Sequence, residues 1–243
     1  LADSQSDLAA ALDQSSVASR REARGIFAVN AVRARRIDGE ASRDEAEAAK
    51  ARARAIELYD TLSRQHPSYC HLPGLRQPAD RACGDEVLYF LAVELELANR
   101  PAAASDAYQR LLRDHPGSHL AAPSKLALAE RAFALARDHQ GDWDEAPRRY
   151  EAALADPQAP LAPYARYKLG HVAWNQGRPG EAAALFAAVL AALPEGPRSG
   201  LGRAAERDLL RAFAQGGDVA EAWRFFDALP QAPVVRWLEE VGR

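Results

Sequence analysis

Two cysteines, Cys70 and Cys83, stand at the ends of a stretch that contains two prolines. A disulfide across this loop would stabilise the fold by about 3 kcal/mol, because it restricts the unfolded chain. Two unpaired thiols are the second interpretation. A zinc site with His66 and His71 is the third, although adjacent Cys and His rarely bind one ion together and no Cys-x-x-Cys spacing is present. We expect the disulfide, and with it an oxidising compartment.

Aromatic and hydrogen-bonding side chains recur at helical spacing in Tyr164, Tyr167 and His171. This spacing places them on one face of a helix. Tyrosine offers a large rigid surface at a small entropy cost, so the face is a candidate for binding a peptide or a partner helix. The alternative is that these side chains only pack against neighbouring helices. Trp174 is expected in the core.

The sequence contains no recognisable catalytic pattern. Its six histidines are scattered, and the HExxH, GxSxG, P-loop and GxGxxG motifs are absent. Neighbouring acids and arginines are interpreted as salt bridges on exposed helix faces. Because no pair of nucleophile and general base can be named, we expect no enzymatic activity, no cofactor and no metal site.

Composition favours an all-helical protein. The chain has 243 residues, of which 48% are hydrophobic, 27% charged and only 7% aromatic. It is rich in alanine and poor in Val and Ile, a bias towards helix and away from strand. The net charge of −3 argues against a nucleic-acid partner held by bulk electrostatics. No apolar run is long enough to span a membrane.

Both signs of charge are present near the beginning of the chain. The arginines between Arg20 and Arg36 are balanced, since residues 1–66 contain 11 Lys or Arg and 11 Asp or Glu. We interpret them as a solvated helix face. Residues 1–19 are expected to form a tether or a frayed helix. The sequence lacks methionine even at position 1, so we expect Leu1 to follow a removed or upstream segment, with room for a signal peptide or a lipid anchor.

From residue 41 onwards, helical stretches alternate with turns marked by glycine and proline. In four copies, a small residue early in a helix is followed four residues later by an aromatic one. The pairs are Ala104 and Tyr108, Ala146 and Tyr150, Ala182 and Phe186, and Ala222 and Phe226. A leucine and a second small or apolar residue precede three of these pairs at matching distance, in Leu91-Ala92, Leu169-Gly170 and Leu209-Leu210. Small residues allow antiparallel helices to approach closely, and the aromatic ring fills the gap to the next hairpin.

This pattern resembles the tetratricopeptide repeat, a 34-residue helix-turn-helix unit with small residues at its positions 8 and 20, an aromatic residue at 24 and proline at 32. The resemblance implies an all-α protein, a right-handed α-solenoid of about five helical hairpins. It implies a divergent first hairpin at 20–67, an inserted loop at 68–84, a repeat array at 85–230 and a capping helix at 231–243. In the capping helix, we expect Val235, Trp237 and Leu238 to cover the last hairpin.

The resemblance also implies a concave groove, lined by the first helix of each hairpin, that binds a protein or peptide. The residues placed there are Tyr89, Val93, Glu96, Glu130, Tyr164, Tyr167, His171, Asn175, Arg207 and Arg211. Some repeat proteins of this class hold a partner's C-terminal carboxylate with Lys and Asn at concave positions. Tyr, His and Asn stand at those positions here, so that activity is not expected.

Phrases such as DEVLYFLAVELE and YARYKLGHVAWNQGRPGEAAALF are similar to tetratricopeptide proteins of myxobacteria and related delta-proteobacteria. Several of those are envelope proteins linked to motility, pili or outer-membrane assembly. The resemblance implies a non-catalytic scaffold or adaptor in a periplasmic or outer-membrane-associated setting. One alternative is the helical interaction arm of a larger cell-wall-processing enzyme. Another is a regulatory adaptor in the cytoplasm, which reduced cysteines would favour.

Overall fold

The computed structural model describes residues 2–26, 31–67, 84–154, 160–193, 198–216, 219–227 and 234–241. Within these ranges the chain forms eleven α-helices and no β-strand, which confirms the all-α class. The helices are α1 (Ala2–Ile26), α2 (Ala31–Gln65), α3 (Gly84–Leu97), α4 (Pro101–Asp114), α5 (Ala121–Arg137), α6 (Glu145–Ala153), α7 (Ala162–Asn175), α8 (Pro179–Ala192), α9 (Gly200–Gly216), α10 (Val219–Asp227) and α11 (Val234–Val241). The chain divides into two compact units, Leu1–Ser124 and Lys125–Arg243, which are described separately.

In the first unit, α1 and α2 pack against each other through alanine. Ala41, Ala48 and Ala55 of α2 follow one another every seven residues and are buried, as is Ala9 of α1. Seven residues make nearly two helical turns, so these alanines form one stripe along α2. Such small side chains allow two helices to approach closely.

Polar contacts fix the direction of the α1–α2 pair. Three polar pairs show how the two helices run relative to each other. Their N–O or O–O distances are 2.8 Å for Arg20–Asp38, 2.6 Å for Arg52–Asp13 and 2.6 Å for Tyr59–Asp3. The end of α1 therefore meets the start of α2, and the two helices are antiparallel. Residues 2–19, where the sequence indicated a tether or a frayed helix, form the larger part of α1 and belong to this pair.

Helices α3, α5 and α7, each the first helix of a hairpin, end in the same kind of turn. Asn99, His139 and Gly177 have positive φ angles of 55°, 57° and 73°. In each case the next residue donates its N–H to the carbonyl five residues earlier, at 2.8 Å for Arg100 to Leu95, 2.8 Å for Gln140 to Leu135 and 2.9 Å for Arg178 to Ala173. This hydrogen bond is the Schellman motif at the end of a helix. It turns the chain towards the second helix of the same hairpin. Pro101 and Pro179 then begin α4 and α8, where the fixed φ angle of proline suits the first turn of a helix.

The pairs of small and aromatic residues are buried in all four copies. Their members are Ala104, Ala146, Ala182 and Ala222, with Tyr108, Tyr150, Phe186 and Phe226. In the second unit these residues belong to two apolar clusters. One cluster joins α5, α6 and α7 around Tyr150, and the other joins α7 to α11 around Phe186 and Phe226. The spacing that predicted the repeat is thus the spacing of the core.

Helix α11 packs on the last hairpin through Trp237, whose ring centroid lies 5.2 Å from that of Phe226. The Trp237 indole N–H donates to Glu206 Oε1 at 2.7 Å. Leu238 also packs on this cluster, as expected. The expectation for Val235 was wrong: its side chain is 66% exposed. The packed stripe of α11 passes through Val234, Trp237, Leu238 and Val241 at helical spacing, which leaves position 235 on the other side of the helix.

Candidate functional site

Most of the predicted binding residues lie on α5, α7 and α9 of the second unit. They are Glu130 on α5, Tyr164, Tyr167, His171 and Asn175 on α7, and Arg207 and Arg211 on α9. Two polar networks bring six of them together, one around Asp208 and one around Glu130. The other three predicted residues lie on α3 of the first unit.

Asp208 is a buried carboxylate of α9 that contacts four predicted binding residues. The Tyr167 hydroxyl donates to its Oδ2 at 2.6 Å, and His171 Nε2 lies 3.4 Å from the same oxygen. Its Oδ1 lies 3.2 Å from Arg207 Nε and 3.5 Å from Arg211 Nη1. Asp208 is 5% exposed, whereas the two arginines are 56% and 63% exposed. A buried anion therefore holds side chains that also face solvent, and charge-assisted bonds of this kind fix their positions.

Aromatic rings surround His171. Its ring centroid lies 4.7 Å from that of Tyr167, 5.3 Å from that of Phe186 and 6.3 Å from the parallel ring of Trp174. Burial lowers the pKa of His171, and the attraction of Asp208 only partly opposes this effect. Burial and the hydrogen bond to Asp208 raise the pKa of Tyr167. At neutral pH His171 is therefore uncharged, and Tyr167 keeps the proton that it donates to Asp208.

Glu130 of α5 is the centre of the second network. It accepts a hydrogen bond of 2.6 Å from the buried Tyr150 hydroxyl, and its other oxygen lies 3.0 Å from Lys168 Nζ. The same ammonium group lies 4.3 Å from the ring centroid of Phe133, a cation–π contact. Burial first, and then Glu130, raise the pKa of Tyr164. Tyr164 is 36% exposed, so it presents a phenol to solvent at the edge of this network.

Two further residues of α7 make local contacts. The exposed Asn175 donates its side-chain N–H to the backbone oxygen of His171 at 2.7 Å. Trp174, expected in the core, is half-buried at the edge of it, and its indole N–H donates to Gln215 Oε1 of α9 at 2.8 Å. These contacts tie the last turn of α7 to itself and to α9.

The three predicted residues on α3 belong to neither the Asp208 network nor the Glu130 network. The Tyr89 ring centroid lies 5.8 Å from that of Tyr108, so this side chain packs within its own hairpin. Val93 is half-buried and Glu96 is exposed. Glu96 contributes, after burial, to a raised pKa of Tyr108. The acid that is buried on α3 is Glu94, whose Oε2 lies 3.3 Å from Arg52 Nε.

The remaining candidates were the cysteine pair and its zinc alternative. Cys70, His71 and Cys83 lie outside the described residues, so the disulfide stays a prediction. Among the residues that the structure does describe, no group of three or more His, Cys, Asp and Glu side chains could hold a metal ion.

The hairpin geometry of α5 to α8 agrees with a comparison against protein families. Residues 131–197 match the family model for the tetratricopeptide repeat. The matched segment includes the end of α5 and all of α6, α7 and α8. It supports a tetratricopeptide repeat protein, as the residue spacing predicted, and such repeats generally mediate protein–protein interactions. No curated protein matches the chain significantly. No helix within the described ranges is both long and apolar enough to cross a lipid bilayer.

Sequence reasoning missed Asp208. In the run Glu206-Arg207-Asp208 it is indistinguishable from an ordinary surface salt bridge. A signal was nevertheless present, because Ala205, Leu209 and Ala212 form the buried stripe of α9 and position 208 adjoins it. An acid on an apolar stripe at helical spacing indicates a buried anion, and a buried anion requires partners.

Proposed function

We propose that this protein is a non-catalytic scaffold that binds a protein partner through side chains of α5, α7 and α9. The observation that carries the proposal is the Asp208 network. It holds Tyr167, His171, Arg207 and Arg211 together, with both arginines more than half exposed. Tyrosine and arginine are among the residues most enriched at binding hot spots, and pre-positioned side chains lose little entropy when a partner binds.

Within this proposal, the hairpins form a right-handed solenoid of about five repeats, and their first helices line one concave groove. The repeat spacing of the sequence supports this arrangement. Tyr164 and Asn175 are the exposed contacts on α7, and Tyr167 and His171 form the more buried floor.

We place the scaffold in the assembly of a bacterial envelope machine, in the periplasm or at the outer membrane. The support for this setting is the sequence resemblance to envelope-associated repeat proteins, together with a cysteine pair suited to an oxidising compartment. A lipid anchor ahead of Leu1 fits the same setting. In a cytoplasmic setting, the same surface would serve a regulatory adaptor.

Site-specific photo-crosslinking in cells tests the proposal. A photoreactive amino acid replaces Tyr164, and in a matched control it replaces Glu151, which is exposed on α6. We expect a discrete crosslinked partner at position 164 and none at position 151. The purified partner should then bind the Tyr164→Ala/Asn175→Ala variant about tenfold more weakly than wild type, a loss of about 1.4 kcal/mol.

Tyr167 and His171 are kept in that variant because their rings pack against Phe186, at 5.6 Å and 5.3 Å between centroids, so removing them would also affect the core. Identical crosslinks at positions 164 and 151, or unchanged affinity of the variant, would contradict the proposal.

A further inference from the structure

Four arginines surround one open pocket at the end of the second unit. The pocket measures about 420 Å³, and its lining residues are Arg203, Glu206, Arg207, Leu210, Arg211, Ala214 and Arg236. Three of the arginines come from α9 and the fourth from α11. The apolar residues of the lining are Leu210 and Ala214.

Two acids that contact these arginines are far less exposed than the arginines themselves. Glu206, which is 12% exposed, binds Arg236 and also accepts the indole N–H of Trp237. Asp208, which is 5% exposed, binds Arg207 and Arg211. Arg203 donates to the backbone oxygen of Arg198 at 2.7 Å. Three of the four guanidinium groups thus contact these two carboxylates and the fourth contacts a backbone oxygen, so four positive charges stand against two negative ones.

The arginines are also oriented for binding. In the contacts with Asp208 and Glu206, one nitrogen of each guanidinium reaches the acid, while the arginine side chains stay 56% to 64% exposed. A guanidinium has five N–H donors in a planar fork, which suits further carboxylates. A ligand would therefore meet cations whose conformations are already restricted.

The spacing of the arginines along α9 matches the spacing of side chains in an extended peptide. Arg203, Arg207 and Arg211 follow one another every four residues. Four residues advance a helix by about 6 Å. In an extended peptide, alternate side chains share one face and repeat at about 6.6–6.8 Å. Carboxylates at every second residue of an extended segment would thus match the arginines in turn.

We infer that this pocket binds an extended segment of a partner protein that carries an acidic residue at every second position, with small residues between. The inference rests on the proposed scaffold function and adds the chemistry of the partner. Glu and Asp of the segment share one face and pair with the arginines, while the small side chains between them point away from the pocket. A nucleic acid is a poorer fit, because the whole chain carries a net charge of −3.

Fluorescence anisotropy with three labelled dodecapeptides tests this inference. The first alternates Glu and Ala, the second alternates Gln and Ala, and the third has the same composition as the first in the order Glu-Glu-Ala-Ala. We expect the alternating acidic peptide to bind best, the neutral peptide not to bind, and the reordered peptide to bind at least about threefold more weakly. Binding should weaken as salt is added.

The protein variants are matched in charge. Arg203→Gln/Arg211→Gln should weaken binding about tenfold, because each exposed ion pair contributes up to about 1 kcal/mol. Arg137→Gln/Arg148→Gln removes two exposed arginines elsewhere in the second unit and should change the affinity less than about twofold. Thermal unfolding checks that both variants are folded.

Four results would overturn the inference: no binding of the alternating acidic peptide, equal binding of the reordered peptide, equal loss in the control variant, or tighter binding of a 12-nucleotide single-stranded RNA that depends on the same arginines. None of these results bears on the crosslinking at position 164. If crosslinking yields a partner but the peptide fails, the scaffold stands and its acidic specificity is wrong; if crosslinking fails, the scaffold itself falls.

Discussion

Gly170 of α7 lies directly against the ring of Phe186 of α8. A Cβ atom at position 170 would stand 2.4 Å from Phe186 Cε1 and 2.8 Å from Cδ1, well inside any real contact distance. The Phe186 ring is fully buried and belongs to the core cluster of the second unit, so it has no room to withdraw. This glycine is therefore needed for the close approach of the two helices.

We predict that Gly170→Ala destabilises the protein. Overpacking against a buried ring destabilises the fold by up to about 3 kcal/mol, and the better helix propensity of alanine stabilises it by about 1 kcal/mol. The expected net loss of unfolding free energy is therefore about 2 kcal/mol. Urea unfolding followed by circular dichroism measures it. Gly180→Ala is the control, because a Cβ there meets no atom within 4 Å. A Gly170→Ala variant as stable as Gly180→Ala would refute the contact.

We predict that Asp208→Asn lowers the pKa of His171 further. Burial already lowers this pKa below the ordinary 6.5, and the Asp208 charge is the largest opposing influence. Removing that charge removes the opposition. NMR titration of the His171 ring measures the shift, and Asp138→Asn at the end of α5 is the control that should leave it unchanged. A pKa that stays the same or rises in Asp208→Asn would count against the network.

His171 also predicts how stability depends on pH. Because its pKa is lower in the folded than in the unfolded protein, the unfolded chain binds more protons in acid. Its contribution to stability is thus complete above about pH 6.5 and declines as the pH falls towards the folded-state pKa. We expect His171→Gln to reduce the loss of stability across this window, measured as urea midpoints at a series of pH values. An unchanged pH profile would show that His171 is not the group responsible.

We predict that Tyr150→Phe costs about 1.5–3 kcal/mol, the range for a hydrogen bond to a charged group. The hydroxyl is buried and donates to Glu130, which keeps its ion pair with Lys168 after the change. The ring itself should be tolerated, because Phe186 stands at the matching position of the next repeat. In a Glu130→Gln background the same substitution should cost less. Equal costs in both backgrounds would exclude the coupling.

We predict that Arg52→Leu is more damaging than the double change Arg52→Leu/Glu94→Leu. Both side chains are buried, at 10% and 5% exposure, and removing one partner leaves the other charge uncompensated. The single change should cost about 3–5 kcal/mol and the double change clearly less. Urea unfolding compares them, with the exposed Arg54→Leu as control at about 0.5 kcal/mol or below. A double variant less stable than the single one would contradict this account.

The cysteine prediction is tested by intact mass. If Cys70 and Cys83 are bonded, protein isolated without reductant should be lighter by two hydrogens than the reduced form, and neither thiol should be alkylated. Two alkylatable thiols in freshly isolated protein would exclude the disulfide, and with it the argument for an oxidising compartment. Native mass spectrometry would reveal a bound zinc ion as additional mass.

The core of the repeats could be predicted from the sequence because it depends on local spacing. Ala146 and Tyr150 are four residues apart in one helix, and so are Ala182 and Phe186, and all four are buried. The length of α1 was not predictable in the same way. Its main partner along α2 is a stripe of alanines. Alanine also stands on exposed helix faces of this chain, so periodicity cannot identify the helix that pairs with α1.

The sequence predicted side chains at the edge of the candidate site, but not the buried acid that they contact. Tyr167 and His171 were found because aromatic side chains at helical spacing are uncommon. Asp208 and Glu94 were not found, since the immediate sequence neighbours of an acid in a helix do not show whether it is exposed or buried. Burial is decided by which helix packs on it, and that depends on contacts 41 residues apart for Tyr167 and Asp208.

Asp208 shares one negative charge among donors from two helices. When one donor is lost, a larger part of that charge is available to the others, and their preferred positions change together. In natural sequences related to this one, the positions of these donors should therefore covary. A substitution at Tyr167 would tend to be inherited with changes at Arg207 or Arg211, so that this surface diverges in sets of residues and not one position at a time.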